Sequence, residues 1–288
     1  MYQHSHEHSI ARMAQPLKVS ESGYHKWLAN KRSPLTLREI EEGRLAKQIL
    51  ELFRSSRGSY GYRKITALLN VNKKKDERIN HKRVERIMSK YGLRSKIKKQ
   101  FCHTTDSDHN YPIAENLLER DFSAAIRNEK MVSDTTEIPT KQGSLYVAGI
   151  IDLYGRMPVG FSMGTKNDRF LVIAALEDML DRGCGKPGCI VHSDRGSTYA
   201  SEDYRQKLEE NHLICSMSKK GDCWDNAPME SFWGKMKEEW LKKTYSTIDE
   251  AKVDVYKYVW QFYPNERPHE SLGYQTPAQV YNQDSVAN

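Results

Sequence analysis

The sequence predicts an α/β protein, in which a mixed sheet flanked by helices follows a small all-α region of helix-turn-helix type. Helical periodicity dominates before residue 128, whereas residues 129–288 begin with three strand-like runs and then alternate helices with strands. Charge divides at the same place, with 26 Lys and Arg against 14 Asp and Glu up to residue 128, and 19 against 24 afterwards. Such an asymmetry is typical of a polyanion-binding region joined to a different, slightly acidic unit.

The bulk composition argues against several classes of protein. A chain of 288 residues has room for a sizeable core and for two or three structural units. It contains no run of eighteen apolar residues, so no membrane partner is expected. Its five cysteines are odd in number and irregularly spaced, which favours a reduced, cytoplasmic protein over a disulfide framework or a zinc site.

Three helices are predicted between residues 39 and 91. The first spans residues 39–56 and has an apolar stripe of Leu45, Ile49, Leu52 and Phe53. The second spans residues 62–70. Asn80 can cap a third helix that runs to Tyr91, and Gly92 would end it.

The third helix has two distinct faces. Its expected buried face consists of Val84, Ile87, Met88 and Tyr91. Its basic face consists of Lys82, Arg83, Arg86 and Lys90. Helix-turn-helix proteins place a second helix of this kind against DNA, although a solvated basic face on an ordinary helix fits the pattern about equally well. The further basic residues favour nucleic acid, namely Arg94, Lys96, Lys98 and Lys99.

The remaining chain predicts an α/β core with an antiparallel start. A polar stretch at 101–127 is expected to link this core to the basic region. Strands are predicted at 130–138, 145–151, 157–163, 189–192 and 213–217. Helices are predicted at 168–182, at 201–211 and from Pro228 onward.

Three carboxylates occupy places where such a core could gather them. Asp134 lies within the first predicted strand, Asp194 ends the fourth, and Glu230 lies in the first turn of a helix. Each has an ordinary explanation, as a strand-edge acid, a turn cap or an acid that favours the helix dipole. Any one of these acids could occupy its position by chance. A chance placement of all three, in three separate elements, is much rarer.

Paired metal ions would explain why carboxylates are grouped in this way. Mg²⁺ prefers oxygen ligands and retains substrate phosphates in its coordination shell. Two ions about 4 Å apart can activate an attacking oxygen and stabilise the leaving one during in-line displacement. Without metal the grouped carboxylates would repel one another and raise their own pKa values.

The sequence resembles the DDE transposases of bacterial insertion sequences, in particular the OrfB product of the two-reading-frame type, which are related to retroviral integrases. The matching stretches are SDTTEI at 133–138, HSDRGSTY at 192–199, GDCWDNAPMESFWGKMKEE at 221–239, YPNERPHESLGYQTP at 263–277 and GSYGYRKI at 58–65. The resemblance implies a ribonuclease H-like catalytic core. It also implies that Asp134, Asp194 and Glu230 are the catalytic and metal-binding residues.

The same resemblance implies two Mg²⁺ ions per active site, with Mn²⁺ as a substitute, and cleavage and strand transfer at the element ends. Expected partners are DNA, the upstream-frame OrfA product or a fusion with it, and further copies of the chain on DNA. Additional DNA contacts are expected at His192, Asn226, Lys237, Arg267 and His269. For His192 a buried structural role fits as well, and for the other four a solvated surface position is the alternative.

The expected organisation is a helical segment at 1–57, a basic DNA-binding region at 58–100, a linker at 101–127 and an integrase-type core with a helical tail at 128–288. Two alternatives to a transposase stay open at this point. One is a non-catalytic DNA-binding regulator or accessory subunit of a transposition complex. The other is a simple metal-dependent nuclease that uses water as its only nucleophile.

Overall fold

The computed structural model describes residues 1–32, 34–95, 112–219, 222–242 and 244–283. Lys96, Lys98, Lys99 and the first part of the predicted linker, residues 101–111, lie outside the described residues. The chain forms two compact units, Met1–Leu50 and Glu51–Asn288. Their boundary falls inside a helix, seven residues before the division predicted at 57/58.

The described helices include the six that were predicted and five others. They are α1 (Ile10–Ala14), α2 (Glu21–Arg32), α3 (Leu37–Ser55), α4 (Tyr62–Leu69), α5 (His81–Lys90), α6 (Arg169–Asp181), α7 (Glu202–Glu210), α8 (Ala227–Lys235), α9 (Ile248–Tyr256), α10 (Tyr263–Asn265) and α11 (Pro277–Tyr281), and the predicted six are α3 to α8. A π-helical turn, Met236–Trp240, continues α8. Among the described residues, no helix combines the length and the apolar character needed to span a bilayer.

Helix α5 has the predicted cap and, for the most part, the predicted faces. Asn80 accepts a hydrogen bond from the backbone N–H of Lys82 at 2.9 Å, which satisfies one of the donors left open at a helix start. Val84, Ile87 and Met88 are buried. The inclusion of Tyr91 in the buried face was wrong, because α5 ends at Lys90 and the Tyr91 side chain is 56% exposed beyond it.

The five strands form one mixed sheet. They are β1 (Lys130–Thr140), β2 (Gly143–Asp152), β3 (Met157–Gly164), β4 (Ile190–Ser193) and β5 (Ile214–Met217). The spatial order is β3-β2-β1-β4-β5, with antiparallel pairing among the first three strands and parallel pairing of β1 with β4 and of β4 with β5. This arrangement confirms the predicted α/β core with an antiparallel start.

Helix α6 covers one face of the sheet at very short range. Its buried side chains pack with Met131, Ala148, Ile150 and Val191 in one apolar cluster. At Gly160 of β3, a Cβ atom would lie only 2.4 Å from the carbonyl oxygen of Ala175 in α6. Glycine therefore permits the backbone contact that seats α6 on the sheet.

The second part of the predicted linker packs on the β5 side of the core. Leu118 is 2% exposed, and the Leu117 backbone N–H donates to Ser216 Oγ in β5 at 2.9 Å. Asn116 and Arg120 donate to opposite oxygens of the buried Asp225 carboxylate, at 2.8 and 3.0 Å. Residues 116–120 thus hold the turn that leads into α8.

Candidate active site

Asp134 and Asp194 lie side by side because of the register between β1 and β4. These strands are parallel, and Val132 pairs with His192. Two residues further along the chain, Asp134 continues β1, and Asp194 directly follows Ser193, the last residue of β4. The backbone N–H of Gly196 donates to Asp194 Oδ1 at 2.9 Å, so the chain turns away directly after this acid.

The two carboxylates interact electrostatically. Burial and the neighbouring Asp194 carboxylate raise the pKa of Asp134 well above its ordinary value, and Glu230 raises it further. A hydrogen bond from the backbone of Thr135 and the ammonium group of Lys237 oppose this shift. Asp134 is therefore close enough to Asp194 and to Glu230 for their charges to repel its own, and Lys237 acts on it with the opposite sign.

Helix α8 brings Glu230 to this edge of the sheet. Gly149 in β2 pairs directly with Asp134, so both residues point to the same face. On that face, Met229 and Trp233 of α8 pack over Gly149. Glu230 follows Met229 in the first turn of α8, where a carboxylate also interacts favourably with the helix dipole.

Asn226 fixes the start of α8 against β1. It is 5% exposed, and its Nδ2 donates to the carbonyl oxygen of Ser133, the residue before Asp134, at 3.0 Å. Its Oδ1 is buried, and no described residue provides it with a hydrogen-bond partner. This burial argues against the predicted DNA contact. The hydrogen bond to Ser133 instead makes Asn226 a residue that positions α8 against β1.

The donor chemistry of the site fits a hard divalent cation. Asp134, Asp194 and Glu230 offer only carboxylate oxygens, and a bound cation would relieve their mutual repulsion. Among the residues that the structure describes, no group of three His, Cys, Asp or Glu side chains is already arranged to hold a metal ion.

The surroundings of His192 argue against a contact with substrate. It is fully buried, and its ring nitrogens lie 2.8 Å from Ser216 Oγ and 3.2 Å from Ser218 Oγ. Burial lowers its pKa to about 4, although Asp225 acts in the opposite direction. The structure thus supports the structural alternative, in which this histidine joins β4 to the strand beside it.

Arg267 is also an interior residue, and His269 beside it is half-buried. Arg267 is 4% exposed and donates two hydrogen bonds to Glu239 in the π-helical turn, from Nε at 2.7 Å and from Nη2 at 2.8 Å. Its Nη1 lies 2.8 Å from His269 Nε2. Lys64 of α4 reaches the same Glu239 carboxylate at 3.3 Å. The predicted DNA contacts by Arg267 and His269 are at odds with this burial.

In the network of Lys64, Glu239 and Arg267, burial and the neighbouring charges act on the pKa of Glu239 in opposite directions. Burial favours the neutral acid at Glu239, but the hydrogen bonds and charge of Arg267, together with Lys64, more than offset this and lower the pKa of Glu239. Sequence reasoning missed Lys64 and Glu239. Both lie within the quoted motifs, yet nothing in a linear pattern shows that residues 175 positions apart share a hydrogen bond.

Five of the predicted DNA-contact side chains remain accessible or partly so. Lys82, Arg86 and Lys90 on α5 and Lys237 after α8 are exposed, and Arg83 is half-buried. The four basic residues on α5 belong to its predicted basic face, whereas Lys237 lies close to the Asp134 carboxylate. These positions are compatible with contact to a polyanion.

Replacement of Gly149 by alanine should destabilise the core. The new Cβ would lie 2.8 Å from Cη2 and 3.0 Å from Cζ2 of Trp233, so α8 must shift away from the sheet. Overpacking of this kind costs about 1–3 kcal/mol of unfolding free energy, measurable by urea denaturation. Gly234→Ala is the matched control, because a Cβ there meets no atom within 4 Å. Equal stability of the Gly149→Ala and Gly234→Ala proteins would contradict the close packing.

His269 should make the protein less stable in mild acid. Burial, followed by the charges of Arg267, Arg156 and Lys64, lowers the pKa of His269 to about 2. Below pH ~6.5 the unfolded chain binds a proton at this residue whereas the native protein does not, so stability falls as pH falls. From pH 6.5 to pH 5 the loss should reach about 2 kcal/mol. Urea titrations at both pH values should show a smaller loss for His269→Gln, and an unchanged loss would exclude His269 as the cause.

Comparison with known proteins agrees with this geometry. A family model described as an integrase core domain matches residues 124–223, another of the same description matches residues 211–277, and an HTH-like domain matches residues 39–101. The Shigella sonnei protein named "Insertion element IS600 uncharacterized 31 kDa protein" is 38% identical, over 92% of this chain and 96% of its own. The Escherichia coli K12 protein named "Transposase InsF for insertion sequence IS3A" is 33% identical, over 98% of this chain and 96% of its own. The chain belongs to the insertion-sequence transposase family.

The predicted ribonuclease H-like class and the helix-turn-helix region are thereby confirmed for this transposase-family chain. Among solved structures, the magnesium complex of the HTLV-2 integrase catalytic core domain in its trimeric form matches with 14% identity. That match covers 55% of this chain and 99% of the other, with a TM-score of 0.43.

Proposed function

We propose that this transposase-family chain catalyses metal-dependent cleavage of DNA at insertion-sequence ends and joins the cut ends to target DNA. The observation that carries the proposal is the grouping of Asp134, Asp194 and Glu230 at one edge of the sheet, where burial and mutual charge raise the pKa of Asp134. Family membership supports the same conclusion. The three carboxylates would hold two Mg²⁺ ions, and Mn²⁺ would substitute for them.

Bound Mg²⁺ would supply charge neutralisation at the scissile phosphate and activation of the attacking oxygen. The chain itself has three tasks. Asp134, in β1, and Asp194, directly after the neighbouring strand β4, would hold their carboxylates in a fixed orientation towards the cations. Lys237, which is exposed beside them, would pair with a DNA phosphate. Helix α8, seated by Gly149, brings the Glu230 carboxylate towards the two strand acids.

DNA would bind along the basic face of α5. Lys82, Arg83, Arg86 and Lys90 would contact phosphates and base edges of the element end. Because synapsis of two ends needs at least two active sites, we also propose that the chain acts as a homo-oligomer on DNA, with the upstream-frame product or as a fusion with it. A cytoplasmic location accords with the unpaired thiols of Cys184, Cys189 and Cys215.

The test uses labelled element-end DNA, unlabelled target DNA and Mg²⁺, with the upstream-frame product added. Joined products that disappear when EDTA removes the metal are expected. Nicked but never joined DNA would indicate a simple nuclease instead. Binding without any chemistry in the presence of the upstream product would indicate a regulator.

A further inference from the structure

A groove of about 790 Å³ lies beside the start of α5. We name it the α4 groove, and define it by Tyr62, Arg63, Thr66, Arg78, His81 and Tyr274. Helix α4 forms one wall, the approach to α5 another, and the tail around Tyr274 the third. Its volume falls in the range of pockets that enclose a drug-sized molecule, so it suits one or two nucleotides rather than a duplex.

Aromatic faces line this groove. The rings of Tyr62 and His81 are nearly parallel, with an interplanar angle of 26° and centroids 6.1 Å apart. Tyr62 and Tyr274 are half-buried, and His81 is exposed. Flat rings that are accessible in this way are the surfaces on which proteins stack unpaired bases without regard to sequence.

The groove also has the charge of a site for phosphates. Arg63 is exposed, and its guanidinium carbon lies 5.9 Å from the centroid of the Tyr62 ring. Arg78 is exposed as well. Glu270 interacts electrostatically with Arg63, but the described residues that line the groove include two arginines and no acid. Aromatic rings interleaved with arginines distinguish this surface from the aliphatic grooves that receive amphipathic helices.

Tyr274 is held in the groove at a conformational cost. Its φ of 65° lies in the left-handed region, which L-residues other than glycine seldom adopt. The backbone N–H of Tyr274 donates to the His269 carbonyl at 2.7 Å, and the His269 N–H donates to the Gln275 carbonyl at 3.0 Å. These hydrogen bonds within the tail hold Tyr274 in its strained conformation, as surrounding structure does for strained residues at ligand-binding sites.

We propose that the α4 groove binds an unpaired stretch of one or two nucleotides that continues from a duplex lying on α5. Bases stack on Tyr62, His81 and Tyr274, and Arg63 and Arg78 pair with the phosphates. The groove gives the chain a preference for DNA ends that carry a single-stranded overhang. This inference rests on the proposed function in that the duplex occupies the basic face of α5.

The test measures the affinity of the full chain by fluorescence anisotropy for three DNAs. They are a blunt duplex, the same duplex with a two-nucleotide overhang, and a short single strand. The overhang should tighten binding on the order of tenfold, which is the scale of stacking one or two bases on aromatic side chains. An iodouracil in the overhang should crosslink on irradiation to the peptides that contain Tyr62 or Tyr274.

Two variants separate the groove from the duplex site. Tyr62→Leu combined with His81→Ala should abolish the overhang preference while the affinity for blunt duplex stays within about twofold, since stacking is lost and the α5 phosphate contacts remain. Lys82→Ala should instead weaken binding to both duplexes equally. Tyr256→Leu, at an exposed tyrosine on α9, is the matched control and should bind as the wild type does. Far-UV circular dichroism confirms that each variant is folded.

Each outcome decides between the two proposals. Equal affinity of the wild type for blunt and overhang DNA overturns the groove proposal and leaves the proposed function standing. A preference that survives the double substitution overturns the assignment to this groove. Binding of the single strand through Tyr62, without any duplex binding, supports the groove and contradicts the duplex site on α5. No binding to any of the three DNAs overturns both.

Discussion

Replacement of Asp194 by asparagine should abolish DNA cleavage and strand transfer while DNA binding persists. The amide preserves the shape of the side chain but removes the charge that Asp194 contributes beside Asp134, and with it the ability to hold a divalent cation. Removal of one member of such a catalytic unit should lower the rate by roughly 10³-fold or more. The measurement is the single-turnover rate with labelled end DNA, the upstream-frame product and saturating Mg²⁺.

Asp203→Asn is the matched control for this experiment. Asp203 is a half-exposed acid on α7 that forms an ion pair with Arg169 at 2.8 Å and is not one of the proposed ligands. Its substitution should leave the rate unchanged. Activity of the Asp194→Asn protein equal to that of Asp203→Asn would remove Asp194 from the mechanism, whereas loss of DNA binding in the former would point to misfolding.

Replacement of Arg267 by methionine should destabilise the chain by about 3–5 kcal/mol, because it leaves the Glu239 carboxylate buried beside Lys64 with its principal partner gone. Urea denaturation followed by tryptophan fluorescence measures this loss. The double substitution Arg267→Met with Glu239→Leu should recover much of it, since the buried carboxylate is then removed together with its partner, and the Lys64 side chain, which is 22% exposed, keeps its contact with water.

Lys252→Met provides the comparison for the ion pair. Lys252 pairs with Asp249 at 3.3 Å on the surface of α9, where water screens both charges. Its loss should have little effect on stability. If Arg267→Met were as mild as Lys252→Met, the buried network could not be a principal support of the tail.

Much of the fold was predictable because local and tertiary preferences agree. The buried strand β2 was predicted at 145–151 and spans Gly143–Asp152, and α6, predicted from residue 168, begins at Arg169. Apolar runs and glycine stops decide such elements, and both are visible in a single sequence. The error at Tyr91 arose because helical spacing continues for one residue beyond the end of α5.

The candidate site was predictable in part. Asp134, Asp194 and Glu230 were singled out from their places in three separate predicted elements and from resemblance, and the structure brings Asp134 close enough to the other two acids for their charges to interact. The sequence could not distinguish a basic residue that faces solvent from one that is neutralised in the interior. Lys237 and Arg267 look alike in the sequence, yet one is exposed and the other lies against Glu239. That difference depends on partners distant in the chain.

The ion pairs of Glu239 have a consequence for the engineering of chimaeric proteins. Lys64 belongs to the helix-turn-helix region, Glu239 follows α8, and Arg267 lies in the tail, so one carboxylate joins three segments that are far apart in the sequence. An exchange of residues 58–95 with those of a relative would bring a foreign residue 64 to this buried carboxylate. A graft that altered DNA recognition would therefore have to carry its own matching residues at 239 and 267. The residues that must be exchanged together are therefore those that share interior contacts, and not those of one continuous segment.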